Sequence, residues 1–156
     1  MIGQDLHVVA LFDSDDEGRR QEEKLRTKWL TRYKQTPSAT ILFGEAVGVS
    51  KQNFMLEDLF PDDYYLEKAR ESHSQKLTSI GKQKTDLSLS GSGPILPRIE
   101  QAFDNLGLQF NKGSAAKLIR KELLKTTILS DLPKGTADKA RKLFSAIQKS
   151  FSTPEN

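Results

Sequence analysis

The chain has no cysteine and only two histidines, His7 and His73. Without cysteine it can form neither disulfides nor thiolate metal sites. Because the two histidines are far apart in the sequence, we do not expect a zinc site built on histidine. The sequence therefore argues against both zinc chemistry and a disulfide-stabilised secreted fold.

Long apolar segments are missing as well. No stretch approaches the roughly 20 apolar residues that a membrane-spanning helix needs. The first residues, which include Asp5 and His7, lack the basic segment and adjoining cleavage site of a secretory signal. We therefore expect a cytoplasmic protein that does not insert into a membrane.

The composition is typical of a folded domain with an uneven charge distribution. The 156 residues are 36% hydrophobic and 29% charged, which is enough to build one core. Residues 1–63 hold 8 Lys+Arg and 12 Asp+Glu, a net charge of −4, whereas residues 64–156 hold 16 and 9, a net charge of +7. Carboxylates beside a basic surface suit an enzyme that acts on a polyanion such as nucleic acid, although solvated helix faces give similar counts.

An apolar run near the start of the chain ends in an acidic loop. Leu6 to Phe12 is rich in β-branched residues and is typical of a strand buried on both faces of a parallel sheet. Asp13-Ser14-Asp15-Asp16-Glu17-Gly18 follows, at the carboxyl end of the strand, where parallel sheets bind ligands. These oxygen donors suit Mg²⁺ or Mn²⁺. An acidic first turn of a helix explains the same residues.

A helix and a second strand follow the acidic loop. The spacing predicts a helix from about Asp16 to Tyr33. The segment Gln35 to Ser38, which contains a proline, ends this helix. Ala39 to Phe43 predicts a second buried strand, most simply parallel to the first and joined to it by a right-handed crossover. We therefore predict an α/β fold with a parallel sheet and flanking helices.

A second acidic pair, Glu57 and Asp58, lies among apolar residues. Met55 and Leu56 precede the pair, and Leu59 follows it. Such neighbours anchor the backbone in the core and hold the carboxylates in place. The pair is either a set of metal ligands or the acidic start of a helix.

The remainder is predicted to be mostly helical. We expect helices over Asp62–Leu77, from Pro94 to Gly107, from Ser114 to Lys125 and from Ala137 to Phe151, with Ser114 and Thr136 as N-caps. The segment 78–93 is rich in Ser, Gly and Lys and is predicted to be a flexible linker or loop. The composition thus divides the chain into an α/β core (1–77), this linker (78–93) and a helical C-terminal part (94–151).

The last third of the chain carries candidate contacts to a polyanion. Lys112 precedes a predicted helix, where the helix dipole does not favour a cation, so it is either a functional cation or a solvated loop lysine. Lys117, Arg120 and Lys121 form a basic face on that helix. The chain has no GxxxxGK[ST] or GxSxG element, so neither nucleoside triphosphate hydrolysis nor serine esterase chemistry is indicated.

Three segments together resemble a known family. Asp13 to Gly18 match the DxDxxG motif of the Toprim fold, which topoisomerases, primases and a group of nucleases share. MLEDLFPDDYYLEKA (Met55–Ala69) and FNKGSAAKLI (Phe110–Ile119) are similar to the C-terminal region of OLD-family endonucleases (overcoming lysogenisation defect), which are ATPase-coupled Toprim nucleases. The resemblance covers roughly residues 6–150 and implies a partial Toprim-like parallel sheet followed by a mainly helical part.

The resemblance also implies a two-metal site and a reaction. Asp13 and Asp15 would be metal ligands, Glu57 and Asp58 would surround a second metal, and Lys112 would stabilise charge on the scissile phosphate. Two divalent ions, Mg²⁺ or Mn²⁺, would clamp a DNA phosphodiester, one activating a water and the other stabilising the leaving oxygen.

The chain departs from the family pattern in two respects. Toprim sites also use a glutamate at the end of an earlier strand, whereas Asp5 is the only acidic residue before Asp13. The ATPase part of the OLD proteins has no counterpart here. We therefore expect the C-terminal Toprim portion of a DNA endonuclease, incomplete without an N-terminal Toprim segment or an ATPase domain. A homodimer is also open.

Two other classes of function are compatible with the sequence. The chain could be a non-catalytic DNA-binding or protein-interaction module that retains the fold. It could also be a response-regulator-like phosphoacceptor, because that fold gathers acidic residues at strand ends. The second is disfavoured, since no third buried strand carries an aspartate and Lys112 precedes a helix rather than ending a strand.

Overall fold

The computed structural model describes residues 8–30, 38–49 and 53–152. These residues form a two-stranded parallel sheet and are otherwise mostly helical, so the predicted α/β class is confirmed. The strands are β1 (Val8–Phe12) and β2 (Ser38–Leu42). The helices are α1 (Asp16–Leu25), α2 (Phe43–Val47), α3 (Asp62–Ser72), α4 (Ser74–Ser79), α5 (Ile95–Asp104), α6 (Lys112–Leu123) and α7 (Thr136–Ser152). None of the helices in these residues is long and apolar enough to cross a membrane.

Contacts divide the chain into two compact units. Unit 1 comprises the described residues up to Leu56 and those from Asp138 onward. Unit 2 comprises Glu57–Ala137 and therefore includes the segment 78–93.

Unit 1 is built on the strand–helix–strand arrangement that the sequence predicts. β1 and β2 pair in parallel, with Val8 opposite Ser38 and Phe12 opposite Leu42. The prediction of parallel strands is thus confirmed. β2 ends at Leu42, one residue earlier than predicted, and Phe43 is the first residue of α2. Leu6, which the prediction included in the first strand, lies outside the described residues.

The predicted burial of both strands is wrong for much of the sheet. In β1, Val8 and Leu11 are exposed. They project from opposite faces, because side chains alternate along a strand. In β2, Leu42 is buried and Ala39–Ile41 are half-buried. The apolar run predicted the strands correctly, but burial depends on what packs against each face, and that is not encoded in the strand itself.

Helix α1 begins at Asp16, as predicted, and is followed by a π-helical turn at Arg26–Leu30. The rest of the predicted helix, to Tyr33, lies outside the described residues, as do the side chains of Trp29 and Leu30. The change to π geometry marks where the regular α-helical hydrogen-bond pattern ends.

The short helix α2 follows the second strand directly. It buries Phe43 and Val47 and ends at Gly48, which has a φ of 90° and so adopts the left-handed conformation that glycine tolerates. In α7, Leu143 is buried and Lys142 Nζ donates to the Val47 carbonyl over 3.3 Å.

Unit 2 has a helical core. Its buried side chains come mainly from α3, α5 and α6. The core residues are Tyr65, Ala69, Leu87, Ile95, Ile99, Ala102, Phe103, Ala115 and Ile119.

The helix predicted over Asp62–Leu77 is divided in two. His73 separates α3 from α4 with φ −114° and ψ 13°, outside the helical region. The apolar pattern continues through the break, because Leu77 in α4 is fully buried. Spacing alone therefore did not indicate the interruption.

The segment 78–93 is attached to the unit 2 core. Leu87 is fully buried, and the Arg70 guanidinium donates to the Leu87 carbonyl. Gln83 and Asp86 form a capping box around a short 3₁₀ helix, Lys84–Asp86. A few apolar residues in a Ser- and Gly-rich stretch are a weak sequence signal, which is why the composition indicated a linker.

Two predicted N-caps are wrong. Helix α6 begins at Lys112, and it is the Asn111 side chain that caps it by accepting from the Ser114 amide over 3.1 Å. Thr136 lies at the start of α7, but its buried hydroxyl has no hydrogen-bond partner among the described residues. Asn is as good a cap as Ser, and the order Asn111-Lys112-Gly113-Ser114 offered both.

Candidate functional site

The acidic loop Asp13–Gly18 lies at the carboxyl end of β1, as expected. Asp13 Oδ1 accepts a hydrogen bond from the Leu56 amide over 3.0 Å. A Cβ at Gly18 would come within 2.1 Å of the Asp13 carbonyl oxygen, far inside a normal contact. The loop therefore folds so tightly onto the first turn of α1 that only glycine fits at position 18.

Asp15 is the N-cap of α1. Its Oδ1 accepts from the Gly18 amide over 2.7 Å, which satisfies one of the unpaired donors at the helix start. Asp16 and Glu17 lie in the first turn of α1, as the alternative of an acidic helix start expects, and Asp15 caps that turn with one oxygen. Proximity to the positive end of the helix also favours negative charge there.

Glu17 points along α1 and is engaged within the helix. Its carboxylate accepts from Gln21 over 2.6 Å and from Arg20 over 2.6 Å. Hydrogen bonds from Gln21 and then from Arg20 lower the pKa of this carboxyl. Glu17 is therefore a helix-stabilising residue in this arrangement.

Ser14 holds the loop in place, a role the sequence did not reveal. It is fully buried; its amide donates to the Phe54 carbonyl and its Oγ accepts from the Gly44 amide, each over 2.7 Å. Position 44 is restricted in turn, because a Cβ there would lie 2.8 Å from Ser14 Oγ. A small polar residue between two aspartates and a glycine after the next strand are the only sequence signals for this contact.

In unit 2, Glu57 lies beside Lys112. Glu57 Oε1 is 3.1 Å from Lys112 Nζ. The Glu57 side chain is 12% exposed and that of Lys112 is 58% exposed, so a shielded carboxylate holds a cation that solvent still reaches. The resemblance assigned both Glu57 and Lys112 to a site, and unit 2 brings these two residues into contact.

Asp58 faces a different element. Its Oδ1 accepts from the Ile95 amide over 2.7 Å, at the start of α5. Pro94, the N-cap residue of α5, forms no side-chain cap, so Asp58 satisfies this backbone donor in its place. Although they are adjacent in the sequence, Glu57 and Asp58 therefore contact two different partners.

The charges of this acidic pair act on the hydroxyl of the buried Tyr65 side chain. Burial, followed by the charges of Glu57, Glu100 and Asp58, raises the pKa of the Tyr65 phenol. The hydroxyl stays protonated at any physiological pH and can only donate or accept a hydrogen bond as a neutral group.

The basic face of α6 is present. Lys117, Arg120 and Lys121 are exposed, on the side opposite the buried Ala115 and Ile119. None of these three cations forms an ion pair with a described residue of unit 2. They are therefore available to an anion from solution.

The carboxylates fit a divalent metal only in part. Asp13 and Asp15 are hard oxygen donors of the kind that Mg²⁺ takes, but such an ion needs about six oxygen ligands. Within either unit, the described residues contain no group of three acidic or histidine side chains that could hold a metal ion. The loop therefore offers part of a coordination sphere, and the remaining ligands would have to come from elsewhere.

Comparisons with known proteins add no family assignment. No protein-family model matches the chain, and no curated protein or solved structure is significantly similar to it.

Proposed function

We propose that this chain is the C-terminal Toprim portion of a divalent-metal-dependent DNA endonuclease of the OLD type, acting in the cytoplasm and incomplete alone. The observation that carries the proposal is the loop at the end of β1. A parallel strand delivers Asp13 and Asp15 to a turn whose tight return requires Gly18, as a DxDxxG metal loop would need.

In the proposed reaction, the residues of unit 1 and those of unit 2 would have different roles. In unit 1, Asp13 and Asp15 would contribute ligands to Mg²⁺ or Mn²⁺; when bound, such ions polarise a phosphodiester and activate water. In unit 2, Lys112 would exchange its contact with Glu57 for a non-bridging phosphate oxygen and offset developing negative charge. Lys117, Arg120 and Lys121 would attract the DNA backbone.

The missing ligands define the expected partners. A glutamate from an N-terminal Toprim segment and coupling to an ATPase domain would complete the enzyme. Because only part of the coordination sphere is present, the chain alone should bind metal weakly and cleave DNA poorly.

Metal binding provides the first test. We expect Mn²⁺ titration of the purified chain in a calorimeter to give weak binding that the double variant Asp13→Asn/Asp15→Asn abolishes. Asp131→Asn, an exposed aspartate far along the chain, is the control and should bind as the parent does. Heat that is unaffected by the double variant, or no binding to the parent chain, would contradict a metal loop at Asp13–Gly18.

A non-catalytic DNA-binding module is the second candidate. The three exposed cations of α6, Lys117, Arg120 and Lys121, favour it, since they need no metal to bind DNA. Under this alternative, binding of a fluorescent DNA duplex should fall steeply with salt and be unchanged by Mn²⁺ or by Asp13→Asn.

The same binding assay tests the basic face. Replacing Lys117, Arg120 and Lys121 by Gln should lower the slope of log K against log[salt] by about 2 to 3. Replacing Lys82, Lys84 and Lys134 by Gln removes the same charge from other exposed positions of unit 2 and should change the slope less. Equal effects of the two triple variants would mean that only net charge matters.

A further inference from the structure

His73 lies buried at the junction between α3 and α4. It is 2% exposed, and its ring packs against Phe103 of α5 and Phe110, with ring centroids 4.7 and 5.1 Å away. A buried imidazole between two aromatic rings has little contact with water, so its two nitrogens depend on protein partners.

Both nitrogens have such partners. Nδ1 is 3.1 Å from the Ala69 carbonyl and 2.8 Å from Ser72 Oγ, whereas Nε2 accepts from the Asn111 amide over 3.0 Å. Since a backbone amide can only donate, Nε2 carries no proton. Since the Ala69 carbonyl can only accept, Nδ1 carries it. The contacts thus assign the neutral tautomer protonated on Nδ1.

The imidazole connects the end of one helix to the start of another. Ala69 lies in the last turns of α3, and Asn111 is the N-cap of α6. The next residue, Lys112, is the first of α6 and pairs with Glu57. His73 therefore fixes the backbone at the position from which the Lys112 side chain extends.

We propose that His73 is a positioning residue: its neutral ring holds the first turn of α6, and Lys112 with it, and protonation of Nε2 releases that turn. Protonated Nε2 would place a second donor against the Asn111 amide, so the hydrogen bond between them would be lost. That a released Lys112 affects catalysis rests on the proposed nuclease function, whereas the release itself does not.

The surroundings of the ring oppose protonation near neutral pH. Burial lowers the pKa of His73; the Ala69 carbonyl acts in the opposite direction, and the positive charge of Lys76 on α4 lowers it further. From α5 and the start of α6 the ring meets Phe103, Phe110 and the Asn111 amide, none of which titrates. Release should therefore occur only below the usual histidine range.

Nuclear magnetic resonance of the whole chain tests the release without DNA or metal. In a His7→Gln background, which leaves His73 as the one histidine, the ring and the amides of Asn111, Lys112 and Ser114 are followed from about pH 7 to about pH 4.5. We expect the four signals to titrate together. The hydrogen-exchange protection of the Ser114 amide should fall about tenfold, while that of Ile119 in the middle of α6 stays constant.

The variant His73→Gln separates titration from structure. The side-chain carbonyl of the glutamine can accept from the Asn111 backbone amide, and its side-chain NH₂ group can donate to the Ala69 carbonyl. The start of α6 should therefore be protected at all pH values in this range. The proposal is overturned if the His73 ring titrates without a change at Ser114, or if it titrates only as the whole chain unfolds. Failure of metal or DNA binding would count against the proposed function and leave this result unaffected.

Discussion

The Gly44 amide donates a hydrogen bond to Ser14 Oγ, and both residues are buried. The donor follows β2 and the acceptor lies in the acidic loop after β1, so one contact joins the carboxyl ends of the two paired strands. The position of Asp13 and Asp15 on either side of Ser14 depends on this contact.

Replacement of Ser14 by alanine should destabilise unit 1. Ser14→Ala leaves the buried Gly44 amide without an acceptor, which costs about 1 to 3 kcal/mol. Urea unfolding followed by circular dichroism measures the loss. Ser88→Ala, at an exposed serine, is the control and should change stability by less than about 0.5 kcal/mol. Equal midpoints for the two variants would show that the hydroxyl is not needed.

Replacement of Gly18 by alanine should be more damaging. The new Cβ would lie 2.1 Å from the Asp13 carbonyl oxygen, a backbone atom that can move only if the loop opens. We expect a loss of about 2 kcal/mol or more in thermal or urea unfolding.

The control for this variant is Gly113→Ala in the first turn of α6. There the nearest atom to the new Cβ is Asn111 Oδ1 at 3.2 Å, the end of a side chain that can adjust. The change should stay within about 1 kcal/mol. A Gly18→Ala variant as stable as this control would contradict the tight loop.

Features set by local spacing were predictable from the sequence. The two strands, the start of α1 at Asp16 and the helix that follows Pro94 each depend on residues within one element. Apolar periodicity, a capping carboxylate and a proline at a helix start are each recorded in a few adjacent positions.

Features set by distant partners were not predictable. Asp58 bonds an amide 37 positions away, and His73 bonds one 38 positions away. Nothing near either residue in the sequence indicates which backbone donor it meets. In unit 2 Glu57 contacts Lys112 and Asp58 contacts the Ile95 amide, and their assignment as a pair of metal ligands stays a prediction.

The Lys68–Glu122 pair should respond differently to the loss of each partner. Lys68 Nζ lies 2.5 Å from Glu122 Oε1, and the lysine side chain is only 7% exposed. Glu122→Gln removes the nearest negative charge from this buried ammonium and leaves Glu71, at 3.5 Å, as its ion-pair partner among the described residues, so it should cost about 1 to 3 kcal/mol. Lys68→Met keeps the packing and removes the charge, so it should cost less or stabilise.

The pH dependence distinguishes this pair further. The hydrogen bond from Lys68, followed by that from Tyr64, lowers the pKa of Glu122 despite partial burial. The unfolded chain therefore binds this proton at higher pH than the folded chain does. The stabilisation is fully present above the pKa that Glu122 has in the unfolded chain, and it is lost as the pH falls through the lower pKa of the folded state. Urea midpoints measured from about pH 7 to about pH 3 should fall less in Glu122→Gln than in the parent chain. A steeper fall in the variant would contradict this origin, and Glu23→Gln serves as the exposed control.

Thr136 offers a substitution expected to stabilise unit 2. Its hydroxyl is buried without a partner among the described residues, so the native side chain is desolvated without a compensating hydrogen bond. Thr136→Val keeps the branched shape and removes the polar atom, and it should raise the free energy of unfolding by up to about 1 kcal/mol. Thr127→Val, at an exposed threonine, should have an effect below about 0.5 kcal/mol. A clear loss of stability in Thr136→Val, with Thr127→Val unchanged, would mean that the Thr136 hydroxyl makes a stabilising hydrogen bond in solution, such as one to a buried water.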